Sequence, residues 1–217
     1  MFRTKPKHFV LPPHYWRLKP IQLVVIDLLD WLFPFVAINV VWLLASLTVI
    51  LLPPATASLF ETAYKAHRGH APDMRSFRSG IRRWFFKSWL WASGNLIVLA
   101  LAFLLGANSG GHPIVLALAG VIPALLLIGQ FYFWPYVMLQ DHPELLRALR
   151  NSIFSALGAL PYLISYLALV LFIVIPAIVT IAPFLLIVPM LIAMLATYSL
   201  IGWLAHEGIL NEDARDL

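Results

Sequence analysis

The chain has 217 residues, of which 61% are hydrophobic and 12% are charged, and its formal net charge is +5. Soluble domains usually contain about 25% charged residues, so this composition excludes an ordinary soluble protein and indicates an integral membrane protein. The sequence contains no cysteine, which excludes disulfides, thiolate metal sites and thiol nucleophiles.

The charged residues are unevenly distributed along the chain. Residues 31–60, 88–140 and 151–206 contain no Asp, Glu, Lys or Arg. Each of the last two stretches is long enough for two membrane helices of about 20 residues. The basic segments lie beside these stretches, which is typical of membrane orientation and not of nucleic-acid binding. We therefore expect one transmembrane helical domain over residues 21–205, without a nucleic-acid partner.

Residues 1–20 form a basic arm that prolines interrupt. Its five Lys and Arg residues precede the first acidic residue, Asp27, and its prolines prevent a long helix. Phe9, Tyr15 and Trp16 suit the headgroup region of a membrane. We interpret this arm as an interfacial anchor, with docking on a partner subunit as the alternative.

The apolar stretches predict an all-α polytopic membrane bundle of about six helices. Asp27 and Asp30 share one helical face just before the first apolar span, and we expect them to pair with basic residues such as Arg17, Lys19 or the cluster at residues 75–87. The predicted helices cover residues 32–52, 54–68, 86–105, 114–139, 156–176 and 183–205.

Lys and Arg predict the side of each loop, because cytoplasmic loops are enriched in both residues. The segments 65–87 and 139–155 contain them, whereas the links 106–113 and 177–182 contain none. The basic arm lies on the same side of the membrane as the first segment only if the second predicted helix, residues 54–68, crosses back through the membrane. We therefore predict that the first two helices form a hairpin. This second helix is only about 22 Å long, so we expect its outer end to be buried inside the bundle. We predict a multi-pass protein of the inner cell membrane, with both termini, including the acidic tail 206–217, in the cytoplasm.

Two cytoplasmic segments predict amphipathic surface helices. Residues 75–81, RSFRSGI, align with residues 147–153, RALRNSI, at an offset of 72, and each precedes an apolar stretch. An internal repeat and a chance match are both open as explanations. Five basic residues of the first segment are candidates for binding anionic lipid headgroups, with a docking surface for a cytoplasmic partner as the alternative. They are Arg75, Arg78, Arg82, Arg83 and Lys87.

Glu61 is the acid that the sequence places inside predicted helix 2. An acid within the hydrocarbon costs about 2.5–3.5 kcal/mol, so intramembrane acids are usually paired or functional. Lys65 follows at the i,i+4 spacing that favours an ion pair. We expect Glu61 to pair with Lys65 or with an arginine of the first surface helix. Coupling to a proton or contact with a substrate is the alternative.

A motif of polar, aromatic and proline residues marks the turn between helices 1 and 2. It reads N-x-x-W-x-x-x-S, followed by P-A-T-A, and comprises Asn39, Trp42, Ser46, Pro53, Pro54, Ala55, Thr56 and Ala57. This motif resembles the signature of the YesL-like family of small bacterial membrane proteins, and the resemblance extends roughly over residues 25–205. Many members have glycine where this chain has Pro53. Members are often encoded beside sugar-uptake transporters, so the resemblance implies an accessory role in carbohydrate transport and supplies no catalytic residue.

The sequence contains no recognisable catalytic or cofactor-binding arrangement. His67 and His70 lie near Asp73, but surface histidines in a basic loop are the simpler interpretation than a metal site. No serine stands in a G-x-S-x-G motif, and no glycine-rich phosphate loop occurs. We therefore expect a non-enzymatic accessory or assembly subunit without cofactor or metal, which binds another membrane protein or forms a homo-oligomer. The alternative is a small carrier or channel with Glu61 as the coupling residue.

Overall fold

The computed structural model describes residues 20–160, 163–165, 167–172 and 186–207. These residues form helices and turns, and the described part of the chain contains no β-strand, in agreement with the all-α prediction. The predicted basic arm before Pro20 and nearly all of the predicted acidic tail lie outside the described residues, as do Arg17 and Lys19.

The described chain begins with two helices that meet at a sharp bend. Helix α1 spans Pro20–Asp30 and α2 spans Leu32–Ser46, and their axes differ by 88°. The pair is apolar enough to form one broken membrane span or a re-entrant loop. The predicted helix over residues 32–52 is therefore too long at its C-terminal end.

A turn with local hydroxyl contacts ends α2 early. The Thr48 hydroxyl donates to the Ala45 carbonyl over 2.6 Å and accepts from the Leu51 N–H over 3.3 Å. Ser and Thr side chains that bond to nearby backbone groups compete with helical hydrogen bonds, which explains why the apolar pattern continues while the helix does not. Val49 adopts a left-handed backbone conformation with φ 55° in the same turn.

Helix α3 spans Leu52–His67 and confirms that a short helix follows the two prolines. Pro53 and Pro54 lie in its first turn, where a missing N–H costs no helical hydrogen bond. Most of its residues are buried, including Ala55, Ala57, Ser58, Leu59, Glu61, Thr62, Ala63 and Ala66. Because small side chains let neighbouring helices approach closely, α3 is a central helix of the core.

Helices α4 (Met74–Ala107) and α5 (Pro113–Leu139) form a long hairpin. With 34 residues, α4 is about 51 Å long. The first predicted surface helix and the following membrane helix are thus one continuous helix, since no proline interrupts them. The Asp73 carboxylate caps its N-terminus by accepting from the Ser76 N–H over 3.3 Å.

The last part of the chain contains another bend and a buried helix. Helix α6 spans Leu145–Gly158, where the second surface helix is predicted, and meets the helical segment Leu163–Phe172 at 92°. The predicted helix over residues 156–176 includes this bend, and its C-terminal end lies outside the described residues. Helix α7 spans Val188–His206 and corresponds to the last predicted helix.

Helices α4, α5 and α7 are each long and apolar enough to cross a membrane. The described residues contain up to five such spans if each bent helix pair counts as one. The structure is therefore consistent with a membrane protein, while the predicted count of six spans is not confirmed. The predicted sides of the loops and termini stay predictions.

The two segments that align at an offset of 72 each cross the preceding helix at a small residue. Gly80 of α4 lies against Ser58 of α3, and Ser152 of α6 lies against Gly129 of α5. Gly80 and Ser152 are equivalent positions in the alignment. This shared geometry favours an internal repeat over a chance match.

Candidate functional site

The motif of helices α2 and α3 joins the two helices through hydrogen bonds. The Trp42 indole N–H donates to Thr56 Oγ1 over 3.2 Å, which links the N-x-x-W half of the motif to the P-A-T-A half. The Ser46 hydroxyl donates to the Trp42 carbonyl over 2.7 Å, and the Thr56 hydroxyl donates to the Leu52 carbonyl over 2.8 Å. Pro54, Ala55 and Ala57 are buried beside this contact. The motif therefore holds the hairpin together.

Asn39 begins the motif and connects α2 to the chain segment before α7. Its side-chain amide donates to the Leu186 carbonyl over 2.6 Å, and the residue is fully buried. Among the described residues, its side-chain oxygen accepts no hydrogen bond. Asn39 thus contributes one long-range contact that the sequence pattern alone does not reveal.

The closest contact between α3 and α4 lies at Gly80. A Cβ atom placed at Gly80 would lie 3.0 Å from Glu61 Oε2 and closer still to Ser58 Oγ. The Ser58 hydroxyl donates to the Phe77 carbonyl over 2.6 Å, so it also bridges the two helices. The absence of a side chain at Gly80 therefore brings the α4 backbone next to the Glu61 carboxylate.

Glu61 is the centre of this crossing, and three donors bind its carboxylate. Lys65 Nζ lies 2.7 Å from Oε1, the Arg83 guanidinium pairs with the same oxygen, and the Trp84 indole N–H donates to Oε2 over 2.7 Å. The ion pair that the i,i+4 spacing predicts with Lys65 is present, and so is one with an arginine of the first predicted surface segment.

The two cations of this cluster reach solvent, whereas the acid does not. Glu61 is 5% exposed, while the side chains of Lys65 and Arg83 are 38% and 56% exposed. Lys65 also donates to Ser76 Oγ over 2.5 Å. The buried carboxylate is thereby neutralised by two cations, and it binds three donors at its oxygens. A carboxylate held in this way is a structural anchor between α3 and α4.

Trp84 also belongs to this cluster, although its hydrogen bond to Glu61 was not predicted from the sequence. The guanidinium of Arg83 and the ammonium of Lys87 lie 5.7 and 5.9 Å from its ring. Its ring also meets Trp134 of α5 edge-on, with centroids 6.1 Å apart. The sequence signal was available, because Trp84 lies on the apolar face of the amphipathic pattern and adjoins an arginine.

The five basic residues proposed for lipid or partner binding divide into two groups. Arg75, Arg78 and Arg82 are exposed on α4. Arg83 instead pairs with Glu61, and Lys87 donates to the Pro143 carbonyl over 3.0 Å. Periodicity along one helix assigns all five to a polar face, but contacts with helix α3 and with the loop after α5 occupy the last two.

A second polar contact joins the two ends of the described chain. The Tyr198 hydroxyl of α7 donates to Asp27 Oδ2 of α1 over 2.5 Å, and both residues are buried. The Tyr198 ring lies 4.5 Å from the His67 imidazole at the end of α3. His67 therefore packs against an aromatic ring. These residues are far apart in sequence and carry no local pattern that predicts their contact.

Comparisons with known proteins match one region in the N-terminal half of the chain to a family and give no function. Residues 35–108 match the model of a family described as "Protein of unknown function, DUF624". This region covers most of α2, all of α3 and α4, and hence both the motif and the Glu61 cluster. No curated protein and no solved structure matches the chain.

Proposed function

We propose that this protein is a YesL-like, non-enzymatic accessory or assembly subunit of a larger membrane complex, such as a carbohydrate transporter. It is a multi-pass protein of the inner cell membrane with both termini in the cytoplasm. The observation that carries this proposal is the exposed face of the α4–α5 hairpin, which offers another transmembrane helix a surface for close packing.

Helix α5 exposes three small residues at spacings of three and four. They are Ala117, Gly120 and Ala124. A Cβ atom placed at Gly120 would have no described atom within 4 Å. Membrane helices associate through such small residues because their backbones can approach closely and gain van der Waals contact. This face of α5 thus has the small residues that are typical of a helix–helix interface.

The contacts of Glu61 weigh against the carrier alternative. A coupling residue exchanges a proton or contacts a substrate, and this requires a carboxylate with a free oxygen or a partner that leaves easily. Glu61 binds Lys65, Arg83 and Trp84 at once and is buried. Both carboxylate oxygens are already bound by donors, so a substrate would have to displace one of these partners.

Gentle affinity purification from native membranes, followed by mass spectrometry of intact complexes, tests the proposal. A partner membrane protein is expected in fixed ratio with the unmodified chain. Gly120→Leu should reduce recovery of the partner by at least fivefold, because the leucine prevents close helix approach. Gly94→Leu on α4 is the matched control, since a Cβ at Gly94 also meets nothing within 4 Å but lies outside the small-residue face.

Recovery of the chain alone, or only with copies of itself, would overturn the accessory role. The carrier alternative would then be tested by flux measurements on Glu61→Gln, which should abolish transport while the protein stays folded. Equal losses of partner with both glycine variants would show that α5 carries no specific interface.

Single-cysteine labelling tests the proposed orientation, because the chain has no native cysteine. His70 and His112 are both exposed and lie in loops at opposite ends of α4. A membrane-impermeant maleimide should label His112→Cys in intact cells and His70→Cys only after permeabilisation. Labelling of His70→Cys from outside would contradict the orientation.

A further inference from the structure

A groove of about 450 Å³ lies between the turn before α3 and the N-terminal third of α4. Leu51 of the turn forms one wall, and residues of α4 form the other. The residues that line the groove are Leu51, Arg78, Ile81, Arg82, Phe85 and Phe86. Two guanidinium groups and four apolar side chains therefore share one concave surface.

The turn that forms the first wall is attached to α4. The Trp89 indole N–H donates to the Ile50 carbonyl over 2.9 Å, one residue before Leu51. This bond fixes the distance between the turn and α4 at one end of the groove. The groove is thus present in the folded protein and needs no rearrangement to form.

Within the part of the chain that the structure describes, the two arginines of the groove have no carboxylate partner. Arg78 and Arg82 are one helical turn apart and exposed, and neither pairs with an acid among the described residues. The neighbouring Arg83, in contrast, is bound to Glu61. Guanidinium groups bind phosphate oxygens through two parallel hydrogen bonds, so two adjacent arginines form a surface that is complementary to a phosphate.

The apolar part of the groove indicates that a free phosphate is not the ligand. Phe86 is 83% exposed, and Ile81 and Phe85 are partly exposed beside the arginines. Large exposed apolar side chains next to uncompensated cations suit a molecule that joins an anionic group to a hydrocarbon chain. A phospholipid has this chemistry.

The position of the groove along α4 agrees with a lipid headgroup. A hydrocarbon core of about 30 Å takes up about 20 residues of helix. When α4 crosses a membrane, its 34 residues leave about 14 outside the hydrocarbon, which corresponds to Met74–Lys87. Lys87 is also the last charged residue before the uncharged stretch 88–140. Arg82 thus lies about 8 Å outside the boundary between headgroups and acyl chains, and Phe86 lies beside that boundary.

We propose that this groove binds one anionic phospholipid molecule. Its phosphate contacts Arg78 and Arg82, and its first acyl carbons contact Leu51 and Phe86. The site is independent of the partner proposed for α5, because it lies on α4 and the α2–α3 turn. It would persist if no partner protein existed.

Native mass spectrometry of the purified full chain in detergent tests the site, with phosphatidylglycerol and phosphatidylcholine as probes. One phosphatidylglycerol should stay bound, and phosphatidylcholine should bind at least fivefold more weakly. Arg82→Gln should weaken phosphatidylglycerol binding about fivefold, which is the contribution of one basic residue at an anionic surface. Arg75→Gln is the matched control, since Arg75 is exposed on the same helix but does not line the groove.

The remaining variants separate a defined site from a diffuse basic surface. Phe86→Ala should weaken binding while it leaves the charge unchanged, and Arg82→Lys should restore part of the affinity. Equal effects of Arg75→Gln and Arg82→Gln would overturn the proposal, because they would indicate non-specific attraction. Binding of soluble glycerophosphate with the same affinity as the lipid would also overturn it.

Discussion

Helix α7 and the two helices of the α4–α5 hairpin are all strongly apolar, but only α7 is mostly buried. The most apolar windows have a mean hydropathy of 1.8 in α7, 2.0 in α4 and 2.4 in α5. In the structure, 61% of the α7 window is buried, against 6% in each hairpin helix. Lipid and protein interior are both apolar surroundings, so hydropathy identifies a membrane-compatible helix without revealing whether it faces lipid or other helices.

Helix α7 and the hairpin also differ in the polar contacts of their side chains. Helix α7 places Tyr198 against Asp27 and His67, and its central residues pack on α1, α3 and α5. Between α4 and α5, Gln130 accepts from the Trp91 indole N–H over 3.1 Å and donates to Asn95 Oδ1 over 2.8 Å. The core thus depends on specific packing between helices, whereas most of the hairpin surface packs against no described helix.

A pair of identical substitutions gives the sharpest test of this comparison. Leu200 of α7 is fully buried, and Leu101 of α4 is 55% exposed. Leu200→Ala should lower the free energy of unfolding by about 2–5 kcal/mol, because it leaves a cavity. Leu101→Ala should change it by less than about 0.5 kcal/mol. Thermal unfolding in detergent, followed by circular dichroism, measures both, and equal losses would contradict the assignment of α7 to the core.

The second-largest effect is expected at the Glu61 cluster. Glu61→Gln should destabilise the fold by about 1–3 kcal/mol, because Lys65, Arg83 and Trp84 lose a charged acceptor. We expect only a moderate loss of stability because the side chains of Lys65 and Arg83 both reach solvent. Glu144→Gln is the control, because the Glu144–Arg147 ion pair is exposed and should contribute no more than about 0.5 kcal/mol. Similar losses in the same unfolding assay would show that burial of Glu61 has no energetic consequence.

Two glycines of α4 should respond with opposite signs to the same change. Gly80→Ala should destabilise by about 1–3 kcal/mol, because the new methyl group would overlap Ser58. Gly94→Ala should stabilise by up to about 1 kcal/mol, because alanine has the higher helix propensity and the site has open space. Urea or thermal unfolding distinguishes the signs. A gain at Gly80 would mean that α3 and α4 do not touch there.

The smallest effect is expected in the turns at the ends of the two hairpins. Val49 and Gly110 have φ of 55° and 56°, a conformation that a β-branched residue adopts only with strain. Val49→Gly should stabilise by about 0.5–1 kcal/mol, and Gly110→Val should destabilise by about 1–2 kcal/mol. Unfolding measurements on the two single variants check this, and equal signs would contradict the left-handed turn at Val49.

Local patterns predicted part of this structure well. Pro53 and Pro54 predicted the start of α3, and the spacing of Glu61 and Lys65 predicted their ion pair. These residues all lie in α3 and are close in sequence, so helical geometry alone determines their contacts. The exposed Arg75, Arg78 and Arg82 follow from periodicity for the same reason.

Long-range contacts could not be predicted in this way. Arg82 and Arg83 are neighbours on one polar face, and only the position of α3 decides that Arg83 is bound and Arg82 is free of any described acid. The contact between Asp27 and Tyr198 depends on how α1 and α7 pack, which no spacing encodes. The continuity of α4 also escaped prediction, because an amphipathic segment followed by an apolar one fits either a bend or a straight helix.

The uninterrupted course of α4 has a mechanical consequence. The contact with Glu61 lies near the start of α4, and an exposed apolar surface lies near its end. The helix continues for about 27 Å from Trp89 to its last residue, Ala107. A helix of this length acts as a lever with its fulcrum at Gly80. Any protein or bilayer deformation that tilts the far end of α4 must therefore apply torque at the contact between Gly80 and Ser58, where the two helices have no room to slide.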